Sequence, residues 1–451
     1  MKRISFYGAA GTVTGSNFLL TDNIRTQLLI DLGMFQGSKS TELFNQEPLH
    51  FDPQALSGVV VTHAHLDHCG RLPLLAKSYY EGKIYMTEAT RALIEIVLRD
   101  AVNVARYEPD IVQLYDETDV ERTMQQVEIV EYGQTFQVGQ FHIVLRDAGH
   151  ILGSSIVEVH HTITKGKNRV IVFSGDLGNY PEHIVKSTEM IEKADVVVME
   201  TTYGNREHKK EFEHDVLLEE VEAIQKNGGT LLIPAFSLER SQEILHTLDH
   251  MKKEGKMKSK TRVFLDSPMA IRATQVYKRF KELYCSELYN HAQQDDPFHF
   301  NGLYLCNTGH ESRKIRKIKE PKVIIAGSGM MSGGRILRHA QHYLPLKSTR
   351  LLFVGYQAEN TLGREILEGA KKVYIDEQEI HINASVRKSS GMSSHADQPK
   401  LLSWLKDIEG VKKLYLVHGE NVARNAFKEK VQETTSIKDI ILPDRNTIHQ
   451  I

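Results

Sequence analysis

The sequence predicts an α/β protein in which one α/β domain is inserted into another. In the first 200 residues, short β-branched runs stop repeatedly at residues that can ligate a metal. From about Tyr203 to Lys372, strand and helix patterns alternate regularly, which is typical of a mostly parallel sheet covered by helices. Ligand-type residues are sparse there and return at His395 and His418, so the first domain is expected to resume near Val373. The predicted boundaries are 1–203 and 373–451 for the first domain, and 204–372 for the insert.

The predicted strands of the first domain end at polar residues. They cover 26–30 before Asp31, 58–62 before His63, 169–173 before Ser174-Gly175-Asp176, and 195–199 before Glu200. Helical patterns cover 88–104 and 117–123. Because residues at one end of a sheet converge, these scattered polar positions are expected to build one site.

The insert shows the alternation of strands and helices most clearly. Apolar runs predict strands at 230–234, 262–265, 322–325 and 350–354. Helix-like spacing follows them, with apolar residues of one helix face at 238–251 and further helices at 269–283 and 334–344. We find no internal repeat and no low-complexity segment.

Composition excludes several classes of protein. The 451 residues are 41% hydrophobic and 25% charged, which is ordinary globular usage and enough for two or three domains. A net charge of -2 gives no general attraction to nucleic acid, so a polyanion site must be a local basic patch or a metal centre. Three cysteines without CxxC spacing favour a reducing compartment. No stretch approaches the roughly 20 apolar residues of a membrane span, and the N-terminus lacks a signal-peptide core. We therefore expect a cytoplasmic protein without a membrane partner.

The strongest functional signal is the HxHxDH cluster within residues 62–70. Its imidazole and carboxylate donors suit zinc, whereas oxygen-only sites suit magnesium or calcium. In an extended segment, His63 and His65 face the same side and can hold one ion. As the chain turns into the next helix, Asp67 and His68 can reach a second ion nearby. The cluster predicts a dinuclear metal centre.

Two ions need more donors than this cluster supplies. His150 lies between glycines that allow tight turns and close backbone approach. Asp176 follows an apolar strand, and its carboxylate could bridge both ions. Among 22 histidines, isolated ones carry little information, and we interpret three of these as structural: His142, His246 and His342.

Four features of the sequence resemble, in order and approximate spacing, the signature motifs of the metallo-β-lactamase superfamily. They are Asp31, the HxHxDH cluster, His150 and Asp176. Glu200 resembles the first motif of its β-CASP branch, the nucleic-acid-processing nucleases. His395, in Ser393-Ser394-His395-Ala396-Asp397, resembles the second motif, and His418 the third. The resemblance covers nearly the whole chain. It implies an αββα sandwich with an inserted β-CASP domain.

The resemblance also implies a set of ligands and catalytic residues around two Zn²⁺ ions. One ion would be held by His63, His65, His150 and a bridging Asp176, and the other by Asp67, His68, Asp176 and His418. Asp31 would hydrogen-bond a ligand imidazole and fix its tautomer. His395 would protonate the leaving group, with Glu200 orienting it, and Asp67 would complete the catalytic set.

The substrate implied by the resemblance is RNA, most simply single-stranded. RNA-directed members of the branch carry histidine at the third motif, as this chain does at His418, and DNA-directed relatives tend to carry an apolar residue. A hydrolase of small esters or phosphoesters, and a non-catalytic scaffold of an RNA-processing complex, are the alternatives. The sequence leaves open endonuclease against 5′-exonuclease action and whether the chain forms a homodimer.

A glycine-rich turn in the insert is a candidate phosphate-binding element. It joins the predicted strand 322–325 to a helix, and backbone amides at a helix N-terminus can cradle phosphate. Close strand-to-helix packing would also explain such a turn. The candidate residues are Ser332, Gly333, Gly334 and Arg335.

Overall fold

The computed structural model describes residues 2–22, 26–108, 111–163, 167–180, 184–207, 213–319, 321–389 and 394–451. The chain divides into two compact units. Unit 1 comprises Met1–Glu207 and His395–Ile451, and unit 2 comprises His208–Ser394. The first boundary lies close to the predicted one. The second lies at 394/395 rather than 372/373, because the strand Ser385–Lys388 pairs with Thr349–Phe353 in the sheet of unit 2.

Unit 1 contains two sheets, each of seven strands within the described residues. In sheet order, the first consists of Thr447–Gln450, Arg3–Phe6, Phe18–Thr21, Gln27–Ile30, Gly58–Val60, Ile84–Met86 and Val127–Ile129. The second consists of Asp439–Ile441, Lys413–Val417, Val196–Glu200, Lys167–Phe173, Ser155–Ile163, Phe141–Asp147 and Thr135–Val138. Each sheet is parallel in one half and antiparallel in the other.

The two sheets pack face to face through one apolar core. Alternate side chains of a strand point to the same face, and here the inward ones, such as Phe6 and Ile30 from the first sheet and Phe173 and Val198 from the second, form one buried cluster. A second cluster, which includes Trp404, covers the other face of the second sheet. Unit 1 is thus a sandwich with helices outside.

Two helices of unit 1 lie where the sequence predicts them. Glu88–Tyr107 and Glu117–Gln125 contain the two predicted helices, and each starts at a side-chain N-cap, Thr87 and Asp116. The others are Lys39–Glu42, Leu66–Cys69, Pro73–Lys77, Gln398–Lys406 and Asn421–Thr434. Among the described residues, no helix is both long and apolar enough to cross a bilayer.

Unit 2 is built on a parallel sheet, as the alternating pattern predicts. In sheet order its strands are Leu303–Leu305, Arg262–Leu265, Lys322–Ala326, Thr230–Pro234, Thr349–Phe353 and Ser385–Lys388. The hairpin Lys372–Ile375 and Gln378–His381 lies apart from this sheet. Its helices are Glu213–Asn227, Arg240–Lys253, Pro268–Tyr277, Ser286–Gln294, Gly309–Ile315, Arg335–Tyr343 and Leu362–Leu367.

Candidate metal centre

The site of unit 1 lies where parallel strands end. Gln27–Ile30 and Gly58–Val60 are parallel neighbours, so Asp31 lies beside the start of the HxHxDH cluster. In the second sheet, three adjacent parallel strands end near one another and carry Asp176, Glu200 and His418 at or just after their carboxyl ends. Asp31 and His418 have positive φ, 60° and 45°, a conformation that few non-glycine residues adopt. The predicted convergence of strand ends occurs as expected.

The first donor set consists of three imidazoles and one carboxylate. Nδ1 of His65 lies 3.1 Å from Nε2 of His63 and 3.1 Å from Nε2 of His150. Oδ2 of Asp176 lies 3.5 Å and 3.6 Å from the same two Nε2 atoms. All four ligand atoms lie within 4.8 Å of one another. Nitrogens that share a tetrahedral zinc ion at roughly 2.0–2.1 Å lie about as close.

The second donor set lies on the other oxygen of the same carboxylate. Oδ1 of Asp176 is 3.3 Å from Nε2 of His68, which is 3.2 Å from Nε2 of His418. Oδ2 of Asp67 lies 3.3 Å from Nε2 of His418 and 4.0 Å from Nε2 of His68. Asp176 therefore faces one donor set with each oxygen, which is the arrangement of a carboxylate that bridges two ions. Among the described residues, buried Oδ1 of Asp176 has no partner with hydrogen-bond geometry, which fits a cation ligand.

Asp31 fixes the tautomers of two ligand imidazoles. Its Oδ2 accepts from Nδ1–H of His68 at 2.7 Å, so the neutral, metal-binding form of the ring has its lone pair on Nε2, on the donor-set side. The same oxygen accepts from the hydroxyl of Thr62 at 2.8 Å. That hydroxyl can then accept from Nδ1–H of His63, 3.0 Å away, so Nε2 of His63 is also left as a lone pair. Asp31 is 1% exposed and lies where the resemblance implies.

Two threonines that the sequence analysis did not identify take part in the site. Thr62 links Asp31 to His63, as described. The hydroxyl of Thr202 lies 3.0 Å from Nδ1 of His418 and donates to the carbonyl of His418 at 3.2 Å. The hydroxyl oxygen can thus accept a hydrogen bond from Nδ1–H of His418, so that the lone pair on Nε2 faces the second donor set. No sequence signal distinguishes these hydroxyls from the many that merely cap turns.

The charges of the site favour cations at its centre and neutral imidazoles at its first donor set. Burial lowers the pKa of His65 to about 4 and that of His63 well below its usual value, so both imidazoles are neutral at pH 7. Burial opposes charge on His68 too, but the carboxylates of Asp176 and Asp31 hold its pKa well above the usual value. The buried carboxylates thus favour protonation of a nearby imidazole, and a bound divalent ion would displace that proton.

Close backbone packing holds the HxHxDH turn against the strand that carries Asp31. A Cβ at Gly33 would lie 1.6 Å from the carbonyl oxygen of Asp67. The backbone of Met34 and Leu32 also donates to the carbonyls of Leu66 and His68, at 2.9 Å and 3.0 Å. Glycine is required at position 33 because no side chain fits between the two segments.

His395 and Glu200 lie together beside the first donor set. Nδ1 of His395 is 3.3 Å from Oε2 of Glu200 and 3.9 Å from Oδ2 of Asp176. Glu200 is 1% exposed, and its Oε1 accepts from the backbone amide of Leu177 at 2.6 Å. Burial lowers the pKa of His395, but the Glu200 and Asp176 carboxylates outweigh it and raise that pKa to about 9. Ser393 of the predicted motif lies outside the described residues.

The glycine-rich turn of unit 2 leaves only part of the predicted phosphate site free. Ser332 is exposed, Gly333 is partly exposed, and Gly334 has a φ of +79° before the helix that starts at Arg335. The guanidinium of Arg335 is engaged by the buried Asp266 at 2.6 Å and by the carbonyls of Cys306 and Asn307. The Arg335 side chain therefore ties the turn to neighbouring segments of unit 2. Phosphate binding at this turn stays a prediction.

The fold and the two donor sets define a metallohydrolase of the metallo-β-lactamase type. Three family models match the chain. A β-lactamase superfamily domain matches residues 27–235, a Beta-Casp domain matches 241–366, and a Zn-dependent metallo-hydrolase RNA specificity domain matches 379–443.

Relatives of known name cover almost the whole chain. It is 40% identical to Ribonuclease TTHA0252 of Thermus thermophilus over 93% of both chains. It is 30% identical to Transcription termination factor FttA of Methanocaldococcus jannaschii, over 95% of this chain and 69% of that protein. A crystal structure of a protein of unknown function from Enterococcus faecalis V583 aligns over 99% of both chains with a TM-score of 0.55, at 12% identity, and shows the shared fold alone.

The chain belongs to the β-CASP family of the metallo-β-lactamase superfamily. The predicted family and the predicted fold class are thereby confirmed. In the described residues, the seven predicted metal ligands, Asp31, Glu200 and His395 all meet in unit 1.

Proposed function

We propose that this chain is a ribonuclease that hydrolyses RNA phosphodiester bonds with two zinc ions. The observation that carries the proposal is the pair of donor sets that share Asp176, with His395 and Glu200 beside them. RNA as substrate and zinc as metal are supported by the names of its relatives and of the family model over residues 379–443, which include His395 and His418.

The residues present fit two divalent ions. His63, His65 and His150 would hold one with Asp176, and Asp67, His68 and His418 would hold the other with the second oxygen of Asp176. When bound, two such ions would activate a water molecule as nucleophile and offset the charge that grows on the phosphate oxygens. Mixed nitrogen and oxygen donors favour zinc over magnesium.

The protein itself supplies orientation and a proton. Asp31 and Thr202 hold the Nδ1 protons of His68 and His418, so both imidazoles present their Nε2 atoms. Glu200 accepts from Nδ1–H of His395 and is itself fixed by the amide of Leu177. The other ring nitrogen of His395 can then give a proton to the departing alkoxide oxygen, which is general acid catalysis.

The proposal is tested by cleavage of matched RNA and DNA. Zinc-loaded and chelated protein is incubated with end-labelled single strands of the same sequence, and the products are mapped by length. We expect zinc-dependent cleavage of RNA and far slower cleavage of DNA. Stepwise shortening from the 5′ end would assign exonuclease action, and internal fragments would assign endonuclease action.

Two variants and a control separate metal chemistry from contamination. His63→Ala and Asp67→Ala should abolish cleavage, whereas His142→Ala, at an exposed histidine of the same unit, should not change it. Cleavage that survives in both ligand variants would contradict the proposal. Turnover of a small ester without RNA cleavage would instead favour the esterase alternative, and neither activity would favour a scaffold. The cytoplasmic location and any homodimer stay predictions.

A further inference from the structure

Unit 2 contains a cluster of three histidines outside the centre described above. His246 and His250 lie one turn apart on the helix Arg240–Lys253, and His291 lies on the helix Ser286–Gln294. Nε2 of His246 is 3.0 Å from Nε2 of His250 and 3.1 Å from Nδ1 of His291. His246 is therefore not isolated as expected, because two other imidazoles converge on it.

We propose that His246, His250 and His291 form a mononuclear site for a zinc-class divalent ion. Their ligand atoms all lie within 4.8 Å of one another. Imidazole nitrogens suit zinc and its transition-metal neighbours rather than magnesium or calcium. The i, i+4 spacing of two histidines on one helix face is itself a metal-binding geometry.

The cluster matches the first donor set of unit 1 in its dimensions. In that set, the two short nitrogen distances are both 3.1 Å, and the ring centroids of His63, His65 and His150 lie 4.9 to 5.1 Å apart. In the cluster of unit 2, the ring centroids lie 4.5, 5.1 and 5.2 Å apart. The chain thus repeats the spacing of a three-histidine ligand set in a second place.

Hydrogen bonds between the rings explain this convergence poorly. An imidazole nitrogen carries either one proton or one lone pair in the ring plane. Nε2 of His246 can therefore make one well-directed hydrogen bond to His250 or His291, although it lies about 3 Å from both. A cation on the three lone pairs would satisfy all three nitrogens together.

A buried carboxylate stands behind one of the three ligands. Oδ2 of Asp249 lies 3.2 Å from Nε2 of His291 without hydrogen-bond geometry, and the side chain of Asp249 is 1% exposed. Once Nε2 carried a proton in place of its contact with Lys253, this carboxylate would be near enough to accept from it, as the outer partners of metal-bound histidines do, and the inner nitrogen would be free to ligate. Here that inner nitrogen is Nδ1 of His291, the atom that faces His246.

Lys253 places a positive charge beside the proposed metal site. Its Nζ lies 2.6 Å from Nε2 of His291, 2.9 Å from Asp249 and 3.3 Å from Asp295. When Nε2 carries a proton, the ammonium has to move toward the two carboxylates, and its 42% exposed side chain allows this. Asp249 and Asp295 offset part of the combined charge of lysine and metal. The site would join two helices of the unit through one ion, with room in its coordination for water.

The test is the zinc content of the full chain. Wild type, His250→Gln, His291→Gln and the control His310→Gln, an exposed histidine of the same unit, are loaded with Zn²⁺ and freed of excess metal. Bound zinc per chain is then measured by mass spectrometry of the element. We expect each of the first two variants to lose one zinc per chain relative to wild type, and His310→Gln to lose none. RNA cleavage should be unchanged in all of them, which separates this site from the centre of unit 1.

Equal zinc content in the four folded proteins would overturn the proposal. If the cluster variants do not fold, a chain with the triple substitution His65→Ala, Asp176→Ala and His418→Ala decides, because it leaves the cluster intact. Retention of one zinc per chain there supports the site, and complete loss of zinc overturns it.

Discussion

The substitution Asp31→Asn tests how the hydrogen bonds around the proposed ligands control metal binding. Asp31 is buried, and all its described side-chain partners donate to it. Oδ1 accepts from the amide of Thr62 at 2.7 Å, and Oδ2 accepts from the Thr62 hydroxyl and from His68. Asparagine has nearly the same shape, but one end is an NH₂ group. In either orientation, that group must face a donor.

The expected loss of zinc affinity depends on which ring nitrogen of His68 carries the proton. If the amide NH₂ faces His68, the ring relieves the conflict by accepting at Nδ1 and moving its proton to Nε2, the nitrogen that should ligate. If the amide is reversed, the NH₂ group faces the Thr62 amide instead. Loss of such an outer partner typically lowers metal affinity or activity 10- to 100-fold. We expect a weakening of zinc binding of about 1.4–2.7 kcal/mol.

The assay is competition for zinc against a chromogenic chelator, followed by RNA cleavage at rising zinc concentration. Asp31→Asn should bind zinc about 10- to 100-fold more weakly and recover part of its activity in excess zinc. The control is Asp52→Asn, at an exposed aspartate that caps a turn of the same unit. If Asp31→Asn binds zinc as tightly as Asp52→Asn, Asp31 does not control the ligand tautomers and the reasoning is refuted.

Three further outcomes follow from the structure. His395→Ala should lower the rate of RNA cleavage about 10²- to 10⁴-fold and keep its zinc; loss of zinc would make it a ligand rather than the proton donor. Thr202→Val should weaken zinc binding about 10-fold, because Nδ1 of His418 loses its acceptor; unchanged affinity would contradict this. Burial raises the pKa of Asp147 to about 7, so its cost to folding should grow as pH rises from about 4 to 7 and level off above that. Denaturant unfolding at pH 8 should therefore give Asp147→Asn a free energy of unfolding up to about 4 kcal/mol above that of wild type, with little difference at pH 4; an equal gain at both pH values would refute the linkage.

Two kinds of signal in the sequence predicted parts of the site. A polar residue at the end of a buried strand has its position set by the sheet; Asp31 and His418 directly follow such strands, and Asp176 lies three residues after one. The HxHxDH cluster is informative for a different reason, since four donors within six residues must lie close together in any backbone conformation. Both signals are local in the sequence, so they could be detected before any tertiary structure was known.

The parts that the sequence did not reveal depend on long-range packing. His291 lies 45 residues after His246, and only the docking of two helices brings them together. The guanidinium of Arg335 contacts Asp266, 69 residues before it, and no signal in the sequence indicated this engagement within the unit. The second domain boundary differs from the predicted one because the strand Ser385–Lys388 belongs to the sheet of unit 2. The sequence of a short edge strand does not indicate which sheet it joins.

The central claim is that seven side chains hold two cations on either side of one carboxylate. Crystals of the zinc-loaded chain, measured above and below the zinc absorption edge, test it most directly. We predict two anomalous peaks roughly 3.5–4 Å apart, one at each oxygen of Asp176, with His65 near one and Asp67 near the other. A single peak there, or none within bonding distance of Asp176, would contradict the dinuclear centre.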